Sequence, residues 1–351
     1  MRVLLGGKVS IADDLEKAKA EEVDPQLKEL QRINLTLQRQ LAASKQKNEA
    51  LVHAIQKGAY EAMFALGKVP AVPVPTKDKR KARSEIALVH TTDWQGAKVT
   101  PSYNSEVMKK RVMQLADKVI GLTELQRAHH PVKECVVMMG GDMVEGLFNY
   151  QAQLWQIDSS LFTQYTTVSR LMVDFVRVML SNFETVKVRT KYGNHGRIGS
   201  KHSDVPREDN VDRMCYEFAR GLLENEKRLT WEDSAETITR VEIGNYRALL
   251  MHGDELGRNG FASPSAWRAG ANRWAAGAYD WDFSDIYLGH YHTDREEPIQ
   301  GKGKIYWTGS TESDNRYARD SMAEGGDPSQ RLHFIDPERG RVTAKYQIWL
   351  D

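Results

Sequence analysis

The segment 86–95, IALVHTTDWQ, is an apolar run that ends in two side chains with ligand oxygens, Asp93 and Gln95. A short apolar run bounded by polar residues is typical of a buried β-strand. The polar side chains then lie just past the carboxyl end of that strand. In layered α/β proteins, ligands bind at that edge of the sheet. The segment therefore predicts an α/β fold with a polar site at a strand end.

The same pattern occurs four more times along the chain. Apolar runs at 135–139, 186–190, 248–251 and 285–288 precede, in this order, Gly141-Asp142, Gly193-Asn194-His195, His252 and Gly289-His290-Tyr291-His292. Each run delivers carboxylate, amide or imidazole groups to the same kind of position. We therefore expect five loops that are far apart in sequence to meet at one site.

The side chains delivered in this way are two aspartates, three histidines, one asparagine and one glutamine, with His195 beside them. This mixture suits Mn, Fe, Zn or Ni better than Mg or Ca, which prefer shells made only of oxygen. Two divalent cations about 3.5–4 Å apart activate water and neutralise the charge of an attacked phosphate. The donor set therefore predicts a cofactor of two divalent metal ions, with Mn preferred, and phosphoester hydrolysis.

The order of the motifs over residues 85–351 resembles that of the calcineurin-like metallophosphoesterase superfamily. The shared motifs are Asp-x-His, Gly-Asp followed by a carboxylate and glycine, Gly-Asn-His, a lone His and Gly-His-x-His. The resemblance implies a four-layered αββα sandwich, in which helices flank two mixed sheets. It also implies a dinuclear metal centre at the strand ends.

The resemblance also implies a role for each site residue. Asp142 would bridge the two metals, Asp93 and His292 would bind the first ion, and Asn194, His252 and His290 would bind the second. His195 would protonate the leaving group or steady the phosphoryl oxygens. An imidazole titrates near neutral pH, and general acid catalysis of this kind is worth about 10²–10⁴ in rate.

Two positions depart from the pattern of the superfamily. Gln95 stands where the first motif normally ends in histidine, and its amide oxygen is a weaker ligand that cannot act as a base. The first ion then has fewer strong ligands, or a water completes its shell. Arg197 stands near the place where an acidic residue is usual. Its guanidinium group would suit a substrate phosphate, although a surface salt bridge is the commoner role of a single arginine.

Asp93-Trp94-Gln95 and the stretch 314–319, DNRYAR, resemble a bacteriophage-encoded branch of the superfamily described as exonucleases. The expected function is that of a metal-dependent phosphodiesterase, preferably a nuclease that hydrolyses DNA. The alternative enzyme is a cyclic-nucleotide or small-nucleotide phosphodiesterase. A non-catalytic nucleic-acid-binding or assembly protein is the alternative from another class. Gly146 follows Glu145 where protein phosphatases of the superfamily carry arginine, which counts against a phosphoprotein substrate.

Residues 1–69 have the pattern of a long helix rather than of an α/β domain. Their heptad seam is apolar at Leu27, Leu30, Leu37, Leu41, Leu51 and Ile55 and polar at Asn34, Ser44 and Asn48. Polar seam residues fix the register of a coiled coil at a cost in stability. We predict a weak coiled coil that makes a homo-oligomer through residues 25–66. The alternative is a single amphipathic helix packed on its own catalytic domain.

Residues 70–84 are rich in proline and basic side chains, which predicts an extended linker. The basic residues are Lys77, Lys79, Arg80, Lys81 and Arg83. Such a run is commonly a solvated tether. Next to a phosphoesterase it would also attract a polyanion by releasing counterions.

The composition agrees with a water-soluble enzyme. The chain has 351 residues, of which 40% are hydrophobic and 28% charged, and its net charge of +1 neither favours nor excludes nucleic acid. No apolar run approaches the roughly 20 residues that cross a bilayer, so no membrane partner is expected. Without a secretion signal the expected location is the cytoplasm, or the host cytoplasm if a phage encodes the chain. Cys135 and Cys215 are too few for a disulfide framework.

Helical spacing predicts helices over 105–129, 152–182 and 203–227.

Overall fold

Eleven strands and four α-helices are present in the part of the chain that the computed structural model describes, residues 69–148, 151–198, 207–256, 261–314 and 326–351. The strands are β1 (Glu85–Thr91), β2 (Val132–Met139), β3 (Thr185–Thr190), β4 (Leu229–Glu232), β5 (Thr239–Ile243), β6 (Tyr246–Leu250), β7 (Asp285–Leu288), β8 (Arg295–Pro298), β9 (Lys304–Trp307), β10 (Ser329–Asp336) and β11 (Arg341–Trp349). The helices are α1 (Ser105–Arg127), α2 (Leu161–Asn182), α3 (Val211–Leu222) and α4 (Pro264–Arg273).

The strands form two mixed sheets. The first has the order β11-β10-β1-β2-β3-β4, in which β1 to β4 are parallel and β10 is antiparallel to both of its neighbours. The second has the order β5-β6-β7-β9-β8, with β6, β7 and β9 parallel and the two edge strands antiparallel. Parallel strands at the centre of each sheet direct several carboxyl ends to the same edge.

An apolar core joins the two sheets. Leu88 and Met138 of the first sheet share a cluster with Ala248 and Leu250 of the second, and all four are at most 1% exposed. On the outer face of the first sheet, α1 and α2 contact β2 and β3, and α3 packs on α2. On the outer face of the second sheet, Trp267 of α4 packs among residues of β6, β7 and β9. This arrangement of four layers confirms the predicted αββα sandwich.

The five strands expected from apolar runs are β1, β2, β3, β6 and β7, and the first predicted helix corresponds to α1. The second helix was predicted from residue 152, but α2 begins at Leu161, because Ser160 caps it by accepting a hydrogen bond from the Thr163 N–H. The third helix was predicted over 203–227, but α3 covers only Val211–Leu222, because Asn210 is its cap. None of the described helices is both long and apolar enough to span a bilayer.

The predicted linker is described from residue 69 onward and has no regular secondary structure before β1. Its backbone contacts the domain, since Pro70 O accepts from Arg177 and Asp78 N donates to Glu184 Oε1, both at 3.0 Å. Within its basic run, Arg83 pairs with Asp336 at 2.7 Å. The run precedes β1 and so lies at the amino-terminal edge of the first sheet. The predicted N-terminal helix and its coiled coil lie outside the described residues.

Candidate metal centre

The predicted ligand loops meet at the carboxyl ends of β1, β2, β3, β6 and β7. Backbone hydrogen bonds join the loops: Asp93 N donates to Gly141 O at 2.9 Å, and Gln95 N donates to Asp142 O at 3.0 Å. The loop after β7 is joined to the loop after β1, because His290 N donates to Asp93 Oδ2 at 3.0 Å. The structure therefore brings together side chains that are up to two hundred residues apart in sequence, and it buries most of their ligand atoms.

One group of donors surrounds the carboxylate of Asp142. The ligand atoms of Asp142, His252 and His290 all lie within 4.8 Å of one another. His252 Nε2 lies 3.1 Å from Asp142 Oδ2 and 3.0 Å from Asn194 Oδ1. The other ring nitrogen, Nδ1, lies 2.9 Å from Gly140 O and donates to it. This bond uses the Nδ1–H, so Nε2 is the ring nitrogen that faces Asp142 and Asn194 and is available to a metal ion.

A second group of donors lies beside the first and shares Asp142 with it. His292 Nε2 lies 3.2 Å from Asp93 Oδ1. The amide nitrogen of Gln95 lies 3.4 Å from both His292 Nε2 and Asp142 Oδ2. Gln95 Oε1 is buried and has no hydrogen-bond partner among the described residues. A flip of the amide would exchange its oxygen and nitrogen and would direct the oxygen of Gln95 between His292 and Asp142, the position of a metal ligand.

The electrostatics of the centre favour positive charge. Burial lowers the pKa of His252, but the adjacent Asp142 carboxylate outweighs this effect and raises it to about 10. Burial and the charge of His252 lower the pKa of His290 to about 4, which leaves that imidazole neutral. Buried carboxylates that attract a proton onto one imidazole also attract a cation. With their neutral imidazole and amide neighbours, these residues fit a pair of divalent metal ions.

Five of the predicted ligands have a left-handed backbone, which is rare for residues other than glycine. Their φ angles are 53° for Asp93, 49° for Gln95, 53° for Asp142, 70° for His290 and 53° for His292. Among the described residues, only Ala97 and Asp314 are further cases outside glycine. Backbone strain of this kind is concentrated at functional sites, where the surrounding structure enforces it. The strain here turns each ligand inward directly after its strand.

Glycines allow the loops to approach the carboxylates closely. A Cβ atom on Gly193 would overlap Asp142 Oδ1, and one on Gly289 would overlap Asp93 Oδ2. A side chain at either position would push a predicted ligand out of place. The glycines of the Gly-Asn-His and Gly-His-x-His motifs therefore have a steric role.

His195 lies at the edge of the centre, with its side chain 15% exposed. Its Nδ1 lies 3.1 Å from Glu145 Oε2, and its Nε2 lies 3.8 Å from Asp142 Oδ2. Burial lowers the pKa of His195, but Asp142 and Glu145 together raise it above its usual value. Lys98 Nζ lies 3.1 Å from the other oxygen of Glu145 and holds that carboxylate in place. The imidazole is thus oriented by Glu145 and held close to the metal donors without being one of them.

Arg197, the predicted phosphate contact, forms an ion pair with Asp254. Its side chain is 17% exposed, whereas that of Asp254 is 3% exposed. Asp254 lies two residues after His252, so the pair links the loop after β3 to the loop after β6. Substrate contact by Arg197 stays a prediction.

Three residues that the structure places at the centre could not be predicted from the sequence. Glu312 Oε1 lies 2.9 Å from His292 Nδ1, and Asp212 accepts hydrogen bonds from the loop that carries Asp142. Phe261 stacks on the ring of His290, with the centroids 4.4 Å apart and the planes at 26°. None of these residues belongs to a motif, so only their proximity in the fold identifies them.

The aromatic residues between His252 and His290 form part of the core. Trp267 is fully buried and Phe283 is 2% exposed, while Trp274 and Trp281 are half-buried against the same cluster. Phe261 differs because 37% of it is exposed. It is therefore the aromatic residue of this region that has a free surface next to the centre.

Comparison with known proteins gives a weak relative of phage origin. No protein-family model matches the chain. The uncharacterized SPbeta prophage-derived protein YonJ of Bacillus subtilis (strain 168) is 21% identical over 232 residues, which cover 62% of this chain and 57% of that protein. The chain thus spans little more than half of the length of this relative.

The solved structures that match the chain include a metallophosphoesterase and a dimetal phosphatase. A metallophosphoesterase from Sphaerobacter thermophilus has 15% identity and a TM-score of 0.30, covering 76% of this chain and 89% of that chain. A dimetal phosphatase from Danio rerio has 9% identity and a TM-score of 0.37, covering 76% of this chain and 99% of that chain.

Proposed function

We propose that this protein is a nuclease that hydrolyses phosphodiester bonds of DNA and that its cofactor is a pair of divalent metal ions, with Mn preferred. The observation that supports this proposal most directly is the convergence of two donor groups on one carboxylate. His252, His290 and Asn194 surround Asp142 on one side, and Gln95 lies between Asp142 and His292 on the other. A shared carboxylate flanked by two donor groups is the arrangement that a two-metal site requires.

Asp142, Asn194, His252 and His290 would hold one cation, and Asp93, Gln95, Asp142 and His292 would hold the other. When bound, the two cations would lower the pKa of water and neutralise the charge of the phosphoryl oxygens. The neutral imidazoles and amides leave part of the cationic charge uncompensated, so a phosphate anion is attracted. Burial of the donors excludes competing water from the metal side of the site.

His195 supports hydrolysis, because its imidazole is positioned to supply a proton. The backbone oxygen of Glu145 accepts from its Nδ1–H at 3.2 Å, so Nε2 carries the proton that the substrate would receive when the imidazole is charged. The raised pKa of His195 favours the protonated form near neutral pH. An oriented acid beside the phosphate protonates the leaving alkoxide, which is otherwise a poor leaving group.

Phe261 supports a substrate that contains nucleobases. Its ring lies against the ring of His290 and so directly beside the donors, and 37% of it is exposed. A base attached to a phosphate at the centre would be within reach of the exposed part of this ring. Stacking of a base on an aromatic side chain is worth about 1–3 kcal/mol and is independent of sequence. The resemblance of the Asp93-Trp94-Gln95 motif to phage nucleases favours DNA among such substrates.

The test compares hydrolysis of four substrates by the full-length protein with Mn. The substrates are labelled single-stranded DNA, labelled double-stranded DNA, a 3′,5′-cyclic nucleotide and bis-p-nitrophenyl phosphate. We expect cleavage of DNA and of the model diester, a loss of at least about 10²-fold in His195→Ala, and loss of both metal and activity in Asp142→Ala. His129→Ala, an exposed histidine at the other edge of the sheet, is the matched control and should be fully active.

Three results would contradict the proposal. Cleavage of the cyclic nucleotide without cleavage of DNA would assign the centre to small nucleotides. A wild-type protein that shifts DNA in a gel but hydrolyses no substrate would be a binding protein. Equal activity in wild type and Asp142→Ala would show that the hydrolysis comes from a contaminant.

A further inference from the structure

We propose that Asp212 is a positioning residue that fixes the spacing between Asp142 and Asn194 and thereby sets the affinity of the centre for divalent cations. This inference rests on the proposed two-metal site, but it concerns binding rather than turnover. Asp212 lies in the first turn of α3 and is fully buried. It belongs to none of the motifs in the sequence.

The carboxylate of Asp212 accepts hydrogen bonds from two ligand loops at once. Its Oδ2 accepts from Asp142 N and from Gly193 N, both at 2.9 Å. Its Oδ1 accepts from Met143 N at 3.0 Å and from Val144 N at 3.4 Å. One oxygen therefore bridges the residue that carries the shared carboxylate and the residue just before Asn194.

Strand pairing alone does not hold these two loops together. The parallel pairing of β2 and β3 ends at Met139 and Thr190, three residues before Asp142 and four before Asn194. Beyond this point the two loops leave the sheet, and Asp142 has a left-handed backbone. The contacts of Asp212 replace the lost ladder at the position where the ligands must have a fixed separation.

Asp212 is itself held rigidly. Its backbone N–H donates to Asn210 Oδ1 at 2.8 Å, which caps α3, and Asn210 Nδ2 donates to Gly193 O at 2.9 Å. A carboxylate in the first turn of a helix is also stabilised by the helix dipole. Asn210 and Asp212 thus hold both the N–H and the C=O of Gly193. The start of α3 acts as a clamp on the Gly193-Asn194-His195 loop.

An amide cannot make the same set of bonds. In Asp212→Asn only one of the two side-chain positions still carries an oxygen that accepts hydrogen bonds. The new NH₂ group at the other position faces N–H donors and cannot accept from them. If the oxygen takes the Oδ1 position, Asp142 N and Gly193 N both lose their acceptor; if it takes the Oδ2 position, Met143 N and Val144 N lose theirs. Either orientation leaves buried N–H groups unsatisfied. His195 N still donates to Asp142 Oδ1 at 2.7 Å, but the separation of Asp142 from Asn194 is held by fewer bonds. Residues that orient metal ligands in this way commonly change metal affinity by about 10–100-fold when they are replaced.

Asp285 provides a matched control, because it is also a buried aspartate that accepts a backbone N–H. It accepts from Lys304 N at 2.6 Å and from Tyr246 OH at 2.8 Å. However, Asp285 begins β7, whereas His290 follows the other end of that strand. Replacement of Asp285 should therefore lower the Tm without changing metal affinity.

The experiment measures the binding of Mn²⁺ to the metal-free full-length protein by calorimetry, with metal content from elemental analysis and the Tm from circular dichroism. We expect Asp212→Asn to weaken Mn²⁺ binding about 10–100-fold and Asp285→Asn to bind Mn²⁺ like the wild type. High Mn²⁺ should restore most of the activity of Asp212→Asn, because the donors themselves are intact. Asn210→Ala, which leaves the carboxylate in place, should show a smaller loss in the same direction and serves if Asp212→Asn does not fold.

Wild-type affinity in Asp212→Asn, or in Asn210→Ala if the first variant does not fold, would overturn the inference. An equal loss in Asp285→Asn would also overturn it, because that result would indicate general destabilisation. A wild-type protein that binds Mn²⁺ but cleaves no phosphodiester would remove the proposed function and leave the role of Asp212 standing. A wild-type protein that binds no divalent cation would remove both.

Discussion

His292 and Glu312 face each other, with Nδ1 of the imidazole 2.9 Å from Oε1 of the carboxylate. The opposite ring nitrogen of His292 lies 3.2 Å from Asp93 Oδ1. Burial lowers the pKa of His292, but Glu312 more than compensates and raises it well above the usual value. The carboxylate both orients the ring and makes it more basic, so it prepares Nε2 for a cation.

Replacement of this carboxylate should weaken one of the two proposed metal sites. In Glu312→Gln the acceptor oxygen remains but the charge is lost, so we expect Mn²⁺ affinity at one site to fall about 10–100-fold. Calorimetry with metal-free protein should resolve a weakened and an unchanged site. Glu338→Gln, at a glutamate whose side chain is 77% exposed, is the control. Two unchanged sites in Glu312→Gln would contradict the proposed role.

A histidine at position 95 should strengthen the same site. An imidazole is a stronger ligand than an amide oxygen for Mn, Fe or Zn, and histidine tolerates the left-handed backbone found at Gln95 better than most residues. We expect Gln95→His to reach half-maximal activity at a lower Mn²⁺ concentration than the wild type. Gln95→Ala should require more. An unchanged requirement in both variants would show that residue 95 does not bind metal.

Removal of the Phe261 ring should affect only substrates that carry a base. The test compares kcat/KM for thymidine 5′-p-nitrophenyl phosphate with that for methyl p-nitrophenyl phosphate, which has the same leaving group and no base. We expect Phe261→Ala to reduce the ratio of the two values about 5- to 150-fold, the equivalent of about 1–3 kcal/mol of stacking. Phe261→Trp should keep it, and so should Phe162→Ala at another exposed aromatic. An equal loss on both substrates would indicate that Phe261 only supports His290.

Lys191 should make the stability of the protein depend on pH in the alkaline range. Its side chain is fully buried, and burial lowers its pKa to about 8, against the opposing effect of Glu255. In the unfolded chain the pKa of lysine is about 10.4. Between these values the unfolded chain binds a proton that the folded protein has released, so the free energy of unfolding rises with pH.

The matched variant is Lys191→Met, which keeps the volume of the side chain and removes its charge. We expect the free energy of unfolding of the wild type, relative to this variant, to be constant below pH 8 and to increase by about 3 kcal/mol up to pH 10.5. Urea titrations at several pH values measure it. A difference that stays constant over this range would show that Lys191 keeps its proton in the folded protein.

The strands that precede the candidate ligands could be predicted from the sequence. Each of them is an apolar run, because it is buried in the core, and each is followed directly by the polar side chains of the centre. Leu88 and Met138, for example, lie in apolar runs and are buried between the sheets. Strands such as β4 and β8 are only four residues long and contain no such run, and they were not predicted. Their positions follow from pairing with β3 and β9.

The residues that hold the ligands could not be predicted in the same way. Neither Asp212 nor Glu312 follows one of the predicted strands. Asp212 is 70 residues from its partner Asp142, and Glu312 is 20 residues from its partner His292. Their roles depend on loops that leave the sheets in particular directions. The motifs indicate which side chains are candidate metal ligands. The residues that orient these ligands are determined by the packing of neighbouring loops, which the motifs do not contain.

The basic residues that precede β1 and the donors that follow it lie at opposite ends of a seven-residue strand. At about 3.3 Å per residue, this separation is about 23 Å. A duplex advances about 3.4 Å per base pair, so any nucleic acid that touches both places has a footprint of at least about seven base pairs. Oligonucleotides shorter than this length can reach the metals or the linker, but they cannot gain affinity from both.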